Sequence, residues 1–84
     1  MKATLKLFAT LSKYLPAEAR KTSCIDLELA TGTTLLELIA QYRIPPELCA
    51  LMLLNGVFIP PGERVTRILS EGDTVAIWPP VGGG

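Results

Sequence analysis

Residues 48–59 read LCALMLLNGVFI, and this stretch decides the fold. The apolar run 48–54 predicts a strand, and residues 57–59 predict a second, shorter strand. Between them, Asn55 and Gly56 both tolerate a positive φ, which a two-residue hairpin turn requires at both of its central positions. The stretch is therefore predicted to form a β-hairpin, whose second strand ends at Pro60-Pro61-Gly62.

The chain after this hairpin predicts one more strand. Residues 71–73 read EGD, which is typical of a turn, and a strand is expected from Thr74 to Trp78. Val75 and Ile77 fall on one face of that strand, whereas Trp78 falls on the opposite face. Ile68-Leu69, just before the turn, is expected to be buried.

One helix is predicted before the hairpin. Thr34 and Glu37 have the spacing of a capping box, in which each side chain binds a free backbone amide at the helix start. The helix should end near Arg43 or Ile44, because Pro45-Pro46 cannot continue it. A single apolar stripe along this helix consists of Leu35, Leu38, Ile39 and Tyr42.

The first 30 residues predict two strands. Apolar and polar residues alternate over residues 2–8 and again over residues 23–29. Residues 8–15 are expected to form a short turn or helical cap that stops at Pro16, and residues 16–23 to form a surface connection. The two strands are predicted to pair as an antiparallel hairpin.

The resulting order β-β-α-β-β-β indicates an α+β fold, with a mixed four- to five-stranded sheet and one main helix on one face. Residues 1–78 form this domain. Strand 48–54 is apolar on both faces, with Met52 and Leu54 on one face and Leu51 and Leu53 on the other. A single helix cannot cover both faces, so we interpret the second face as an interface. The alternative is that loops 9–16 and 60–70 cover it.

Composition excludes several classes of function. The chain has 84 residues and a net charge of zero, so it is expected to be one domain that binds neither nucleic acid nor a membrane. Its longest apolar run is too short to span a bilayer, and its N-terminus does not resemble a signal peptide. We therefore expect a cytoplasmic protein.

The side chains also predict no catalytic centre and no metal site. The chain has no histidine, which removes the usual base for a nucleophile and the usual zinc patterns. Cys24 and Cys49 are expected to be small apolar residues in or near the core, and the alternative is a persulfide or a mixed bond with a partner. The carboxylates are scattered over predicted solvent faces. We infer a substrate or carrier rather than an enzyme.

The chain ends in an unusual run, Pro79-Pro80-Val81 followed by Gly82, Gly83 and Gly84. Glycine has no side chain to bury, so residues 79–84 are predicted to be a flexible tail with a chemical use. A glycyl strip passes through a slot too narrow for a Cβ atom and presents the α-carboxylate of Gly84 to another protein's active site. Extended, the tail spans on the order of 20 Å.

These elements together resemble the ubiquitin-like sulfur carriers of the MoaD/ThiS family, which have the β-grasp fold. The ending, GDTVAIWPPVGGG, is the most specific marker, and it is more similar to MoaD, the small subunit of molybdopterin synthase, than to ThiS. The resemblance covers nearly the whole chain. Its other markers are Leu7-Phe8-Ala9 with Leu11, Gly32-Thr33-Thr34 with Leu35 and Leu38, Asn55-Gly56, and Leu69.

The resemblance implies a non-catalytic carrier for molybdenum or tungsten cofactor synthesis that binds no cofactor or metal. An E1-like enzyme of the MoeB/ThiF type would use ATP to adenylate Gly84, and a persulfide would convert it to a thiocarboxylate. That group would donate sulfur inside a large subunit of the MoaE type. Gly83 and Gly84 match the reactive diglycine. The positions expected to bind partners are Phe8, Leu51, Leu53, Trp78, Pro79, Pro80, Val81 and Gly82.

Three alternatives remain open for Gly84. The sulfur could go to thiazole or cysteine synthesis instead of a pterin. The chain could be a ubiquitin-like modifier that is joined through Gly84 to lysines of other proteins. It could also be an interaction module with no chemistry at its end. For Phe8, ordinary packing stands beside partner docking as an interpretation.

Overall fold

A computed structural model describes residues 1–80 of the chain. The strands are β1 (Lys2–Leu7), β2 (Cys24–Glu28), β3 (Leu51–Leu54), β4 (Val57–Phe58) and β5 (Asp73–Trp78), and α1 is Leu35–Gln41. Short 3₁₀ helices span Ala9–Tyr14, Ala17–Ala19, Pro46–Leu48 and Pro61–Glu63. The predicted element order is confirmed.

The five strands form one mixed sheet in the order β2-β1-β5-β3-β4. β1 and β5 are parallel, whereas β2 pairs with β1, and β3 with both β5 and β4, in antiparallel fashion. β1 and β5 run in the same direction, so their C-terminal ends lie at the same end of the sheet. Phe8, which follows β1, and Trp78, which ends β5, are therefore neighbours there.

The core lies on one face of the sheet, where α1 and the loops cover it. Thr34 begins the helix with the predicted capping box, in which the amide of Glu37 donates to Thr34 Oγ1 at 3.2 Å and the amide of Thr34 donates to Glu37 Oε1 at 2.9 Å. The largest side chains in this core are Leu5, Leu7, Leu11, Leu15, Leu35, Leu38, Ile39, Met52, Ile59, Ile77 and Val75.

The Asn55-Gly56 turn is confirmed, with φ angles of 51° and 85°. The Asn55 side chain also joins the hairpin to β5 by two hydrogen bonds. Asn55 Nδ2 donates to Asp73 Oδ1 at 2.9 Å, and the amide of Thr74 donates to Asn55 Oδ1 at 2.8 Å. Asn55 therefore fixes both the turn and the pairing of β3 with β5.

Two predicted boundaries are wrong. β3 begins at Leu51 and not at residue 48, because Pro46–Leu48 is a 3₁₀ turn in which the amides of Leu48 and Cys49 bind the carbonyls of Pro45 and Pro46. α1 ends at Gln41. Arg43 takes a φ of 58°, and the amide of Ile44 donates back to Ile39, which is the hydrogen bond of a Schellman motif.

Two predicted burial assignments also need correction. Leu69 is buried as expected, but Ile68 is 55% exposed, and its backbone forms an isolated antiparallel bridge with Thr34. The connection 16–23 is not wholly at the surface. Ala19 is buried, and Arg20 folds back so that its guanidinium donates to the carbonyls of Lys13 and Leu15.

Candidate docking face

The sheet face opposite α1, which we call the open face, is apolar on one half and polar on the other. Strand register places one residue from each strand in a single row across it. Three members of the row are apolar and lie on β5, β3 and β4, whereas the β1 and β2 members are polar or small. From β2 to β4 the row is Cys24, Lys6, Ala76, Leu53 and Phe58.

The apolar half of the open face surrounds a pair of stacked rings. Phe8 and Trp78 stack with ring centroids 4.4 Å apart and planes 14° from parallel. Leu51 pairs with Trp78 across the β3–β5 ladder, so its side chain lies on the same face. The structure thus brings together Phe8, Trp78, Leu51 and Leu53, which the sequence had singled out separately.

These apolar side chains remain accessible. Leu51 is 39% exposed and Phe58 is 48% exposed, while Leu53, Phe8 and Trp78 are half-buried. Loop 9–16 does not close over this face, because its buried residues Leu11 and Leu15 belong to the main core. Because Leu51 is exposed, the alternative that loops 9–16 and 60–70 cover this face is wrong for that residue.

The chain leaves the sheet at one end of this apolar half. β5 ends at Trp78, Pro79 is half-buried and Pro80 is exposed. The remaining predicted site residues, Val81, Gly82, Gly83 and Gly84, lie outside the described residues. Pro79 and Pro80 therefore follow directly from the end of β5 at which Trp78 stacks on Phe8.

The two cysteines have different environments. Cys49 is buried as predicted, and burial raises the pKa of its thiol. The nearby Arg64 guanidinium opposes that shift in pKa, and Glu47 adds to it. Cys24 is half-buried on the open face, where it pairs with Lys6. The prediction that both cysteines lie in or near the core is therefore confirmed for Cys49 and only partly correct for Cys24.

Arg64 is a buried cation that the sequence did not reveal. It is 4% exposed, and burial lowers the pKa of its guanidinium. Its Nε donates to the carbonyl of Ile59 at 3.0 Å, and its Nη1 donates to the carbonyl of Cys49 at 2.6 Å. Arg64 therefore fastens the segment after β4 to the segment before β3, and so stabilises the strand that carries Leu51 and Leu53.

Neither a metal cluster nor a membrane helix is found within residues 1–80. No three His, Cys, Asp or Glu side chains in this range converge on a point where an ion could bind. Likewise, no helix in the described part of the chain is long and apolar enough to cross a membrane.

Sequence reasoning missed Phe58, Ala76 and Lys6 as parts of the open face. Phe58 had a usable signal, because a two-residue turn at Asn55-Gly56 sets it opposite Leu53. Ala76 and Lys6 depend on the parallel pairing of β1 with β5, which joins residues about 70 positions apart. Local patterns do not define that pairing.

Comparison with known proteins agrees with this architecture. The model of the ThiS family matches residues 6–84. Among solved structures, the chain is similar to SAMP1 from Haloferax volcanii, with a TM-score of 0.67, 23% sequence identity and full coverage of both chains. A search of curated proteins found no match.

These findings define the class of protein as a ubiquitin-like β-grasp domain with one main helix on a mixed five-stranded sheet. Because the family match covers nearly the whole sequence, the chain belongs to the ThiS family. The predicted resemblance to the MoaD/ThiS carriers is thereby confirmed at the level of the family.

Proposed function

We propose that this chain is a sulfur carrier whose reacting group is the α-carboxylate of Gly84, and that it serves molybdopterin synthesis as a MoaD-type small subunit. The observation that carries the proposal is the family match through residue 84, on a domain whose exposed apolar face adjoins the exit of the C-terminal segment. On this proposal, the domain binds partners and Gly84 reacts in their active sites.

The proposed chemistry begins with activation of a poor electrophile. The Gly84 carboxylate attacks the α-phosphorus of ATP in an E1-like enzyme of the MoeB/ThiF type, which releases pyrophosphate and leaves an acyl adenylate. The terminal sulfur of a persulfide then attacks the acyl carbon and expels AMP. A thiol reduces the resulting acyl disulfide, which leaves a thiocarboxylate on Gly84 and a disulfide in the donor.

The chain itself supplies no base or metal to these steps in our proposal. Its thiocarboxylate is the nucleophile that donates sulfur to a precursor in a large subunit of the MoaE type. The chain would remain non-catalytic, and ATP would be bound only by the activating enzyme. The open face would dock on each of these partners in turn, because both must receive the same C-terminal segment.

Reconstitution tests this proposal. The full chain is incubated with its cognate activating enzyme, ATP and a persulfide donor, and the C-terminal peptide is analysed by mass spectrometry. We expect one oxygen of Gly84 to be replaced by sulfur, and this product to support pterin dithiolene formation when a large subunit is added. Release of AMP without sulfur incorporation, and isopeptide bonds to lysines instead, would identify a ubiquitin-like modifier.

The same assay separates the sulfur acceptors. A thiocarboxylate that supplies thiazole or cysteine synthesis, but not a pterin, would keep the carrier chemistry and overturn the molybdopterin assignment. The matched control is a chain that lacks Gly83 and Gly84, which should leave ATP unconsumed.

A further inference from the structure

One basic side chain borders the apolar half of the open face without a partner of its own. Lys6 lies between Cys24 and Ala76 in the row across the sheet. Within residues 1–80, the ion pair that the structure shows joins the Met1 amino group to Glu28, and no side-chain hydrogen bond involves Lys6. Its ammonium group is therefore satisfied only by solvent.

A protein that covers Phe8, Trp78 and Leu53 must also cover Lys6, which is one strand away from the apolar half. Removal of an ammonium group from water is unfavourable unless an acceptor replaces the lost hydration. A docking surface that is apolar throughout would therefore be opposed by Lys6. A surface with a carboxylate at that point would be favoured.

We propose that Lys6 pairs with a carboxylate of the activating enzyme when the open face docks. The inference rests on the proposed function and adds the chemistry of the partner surface, which is apolar opposite the Phe8–Trp78 stack and acidic opposite β1. Lys6 thus favours a partner surface that is acidic at this point and accelerates association with it.

The carboxylates of the chain itself argue against a second copy as the occupant. Asp26 and Glu28 are the acidic residues of β2 that share the open face with Lys6. Asp26 Oδ1 already accepts a hydrogen bond from Thr4 Oγ1 at 3.1 Å, and Glu28 pairs with the Met1 amino group at 2.9 Å. A different protein with a free carboxylate is the better match.

The test compares Lys6→Glu with Lys2→Glu. Lys2 lies on the same strand and the same face, but at the end remote from Trp78, where it pairs in register with Glu28. Pyrophosphate exchange by the cognate activating enzyme is measured with limiting amounts of each full-length chain. Lys6→Gln, which removes the charge without reversing it, and thermal melts control for folding.

We expect Lys6→Glu to lower kcat/KM by about tenfold, mainly through KM, and Lys2→Glu to lower it by less than about twofold. The Lys6→Glu defect should shrink as salt rises from low to physiological ionic strength, because screening weakens a rim charge. Lys6→Gln should fall between the wild type and Lys6→Glu.

The role of Lys6 would be overturned if Lys6→Glu and Lys2→Glu lowered kcat/KM equally, or if salt did not change the Lys6→Glu defect. In either case, pyrophosphate exchange by the wild type would still support the proposed function. A wild-type dimer in sedimentation that Lys6→Glu dissociates would assign the surface to a second copy and also overturn it. Absence of exchange with the wild type would overturn both proposals.

Discussion

The rings of Phe8 and Trp78 stack with their centroids 4.4 Å apart, although the two residues are 70 positions apart in the sequence. Phe8 follows β1 and Trp78 ends β5, and these two strands are parallel neighbours. The stack therefore joins them at the end of the sheet where Pro79 and Pro80 follow β5. Ala9, immediately after Phe8, has a φ of 53° and turns the chain out of the sheet. The stack is therefore a fixed apolar feature beside the chain exit.

Substitution of Trp78 tests whether this feature serves binding more than folding. Trp78→Lys should weaken docking on the activating enzyme by at least about tenfold, because it places a charge in the apolar half of the open face. Loss of the stack should cost about 1 kcal/mol of stability, or about 4–8 °C in Tm. Calorimetric titration and thermal melts measure the two effects.

Thr74→Lys is the matched control for Trp78→Lys. Thr74 lies on the same strand and the same face, at the end of β5 remote from Trp78, where it pairs with Thr4, and it is also half-buried. The Thr74→Lys variant should bind the activating enzyme nearly as well as the wild type does. If Trp78→Lys failed to fold while Thr74→Lys remained native, the aromatic stack would be primarily structural and the docking interpretation would be wrong.

Removal of Gly83 and Gly84 tests the chemical role of the C-terminus. The deletion should abolish adenylation and leave the melting transition nearly unchanged, because it removes no apolar side chain and the core is built from residues 3–77. Gly62→Ala is a suitable control, since a Cβ at that position meets no atom within 4 Å. A large drop in Tm for the deletion, but not for Gly62→Ala, would show that the glycines stabilise the fold.

The helix and the hairpin turn were predictable because their signals are local. Thr34 and Glu37 are three residues apart, and Asn55 is adjacent to Gly56, so the local sequence alone predicts the capping box and the turn. The excess of apolar residues on both faces of β3 likewise predicted a second apolar sheet face, with Leu51 and Leu53 on it.

The remaining features depend on contacts between distant segments. The early end of α1 required Arg43 to adopt a positive φ, which is uncommon for a residue with a Cβ atom. The late start of β3 and the burial of Arg64 are linked, because Arg64 binds the carbonyl of Cys49 just before that strand. No short-range pattern in an arginine-containing loop predicts such a bond.

Arg64→Met should destabilise the domain by roughly 2 kcal/mol, because it leaves the buried carbonyls of Ile59 and Cys49 without donors. Arg67→Met should have little effect, since the Arg67 side chain is exposed and makes no hydrogen bond within the described residues. Urea unfolding of the two variants measures the difference. Equal stability of the two would mean that Arg64 does not fasten the loop to β3.

The Cys49 thiol should make stability depend on pH in alkaline solution. Its folded-state pKa is raised by burial, so above about pH 8.5 the unfolded chain loses this proton before the folded chain does. The free energy of unfolding should therefore fall as pH rises through that region. Cys49→Ala should lose this component of the pH dependence, whereas Cys24→Ala should retain it; identical slopes in all three proteins would contradict the assignment.

Intact-mass analysis of the protein isolated from its native cells is the most direct test that Gly84 carries the sulfur. We predict a fraction of molecules that end at Gly84 with one oxygen exchanged for sulfur, and loss of that fraction when the activating enzyme is deleted. A native protein that ends before the glycines, or that continues beyond Gly84 without any processed form, would contradict the central claim.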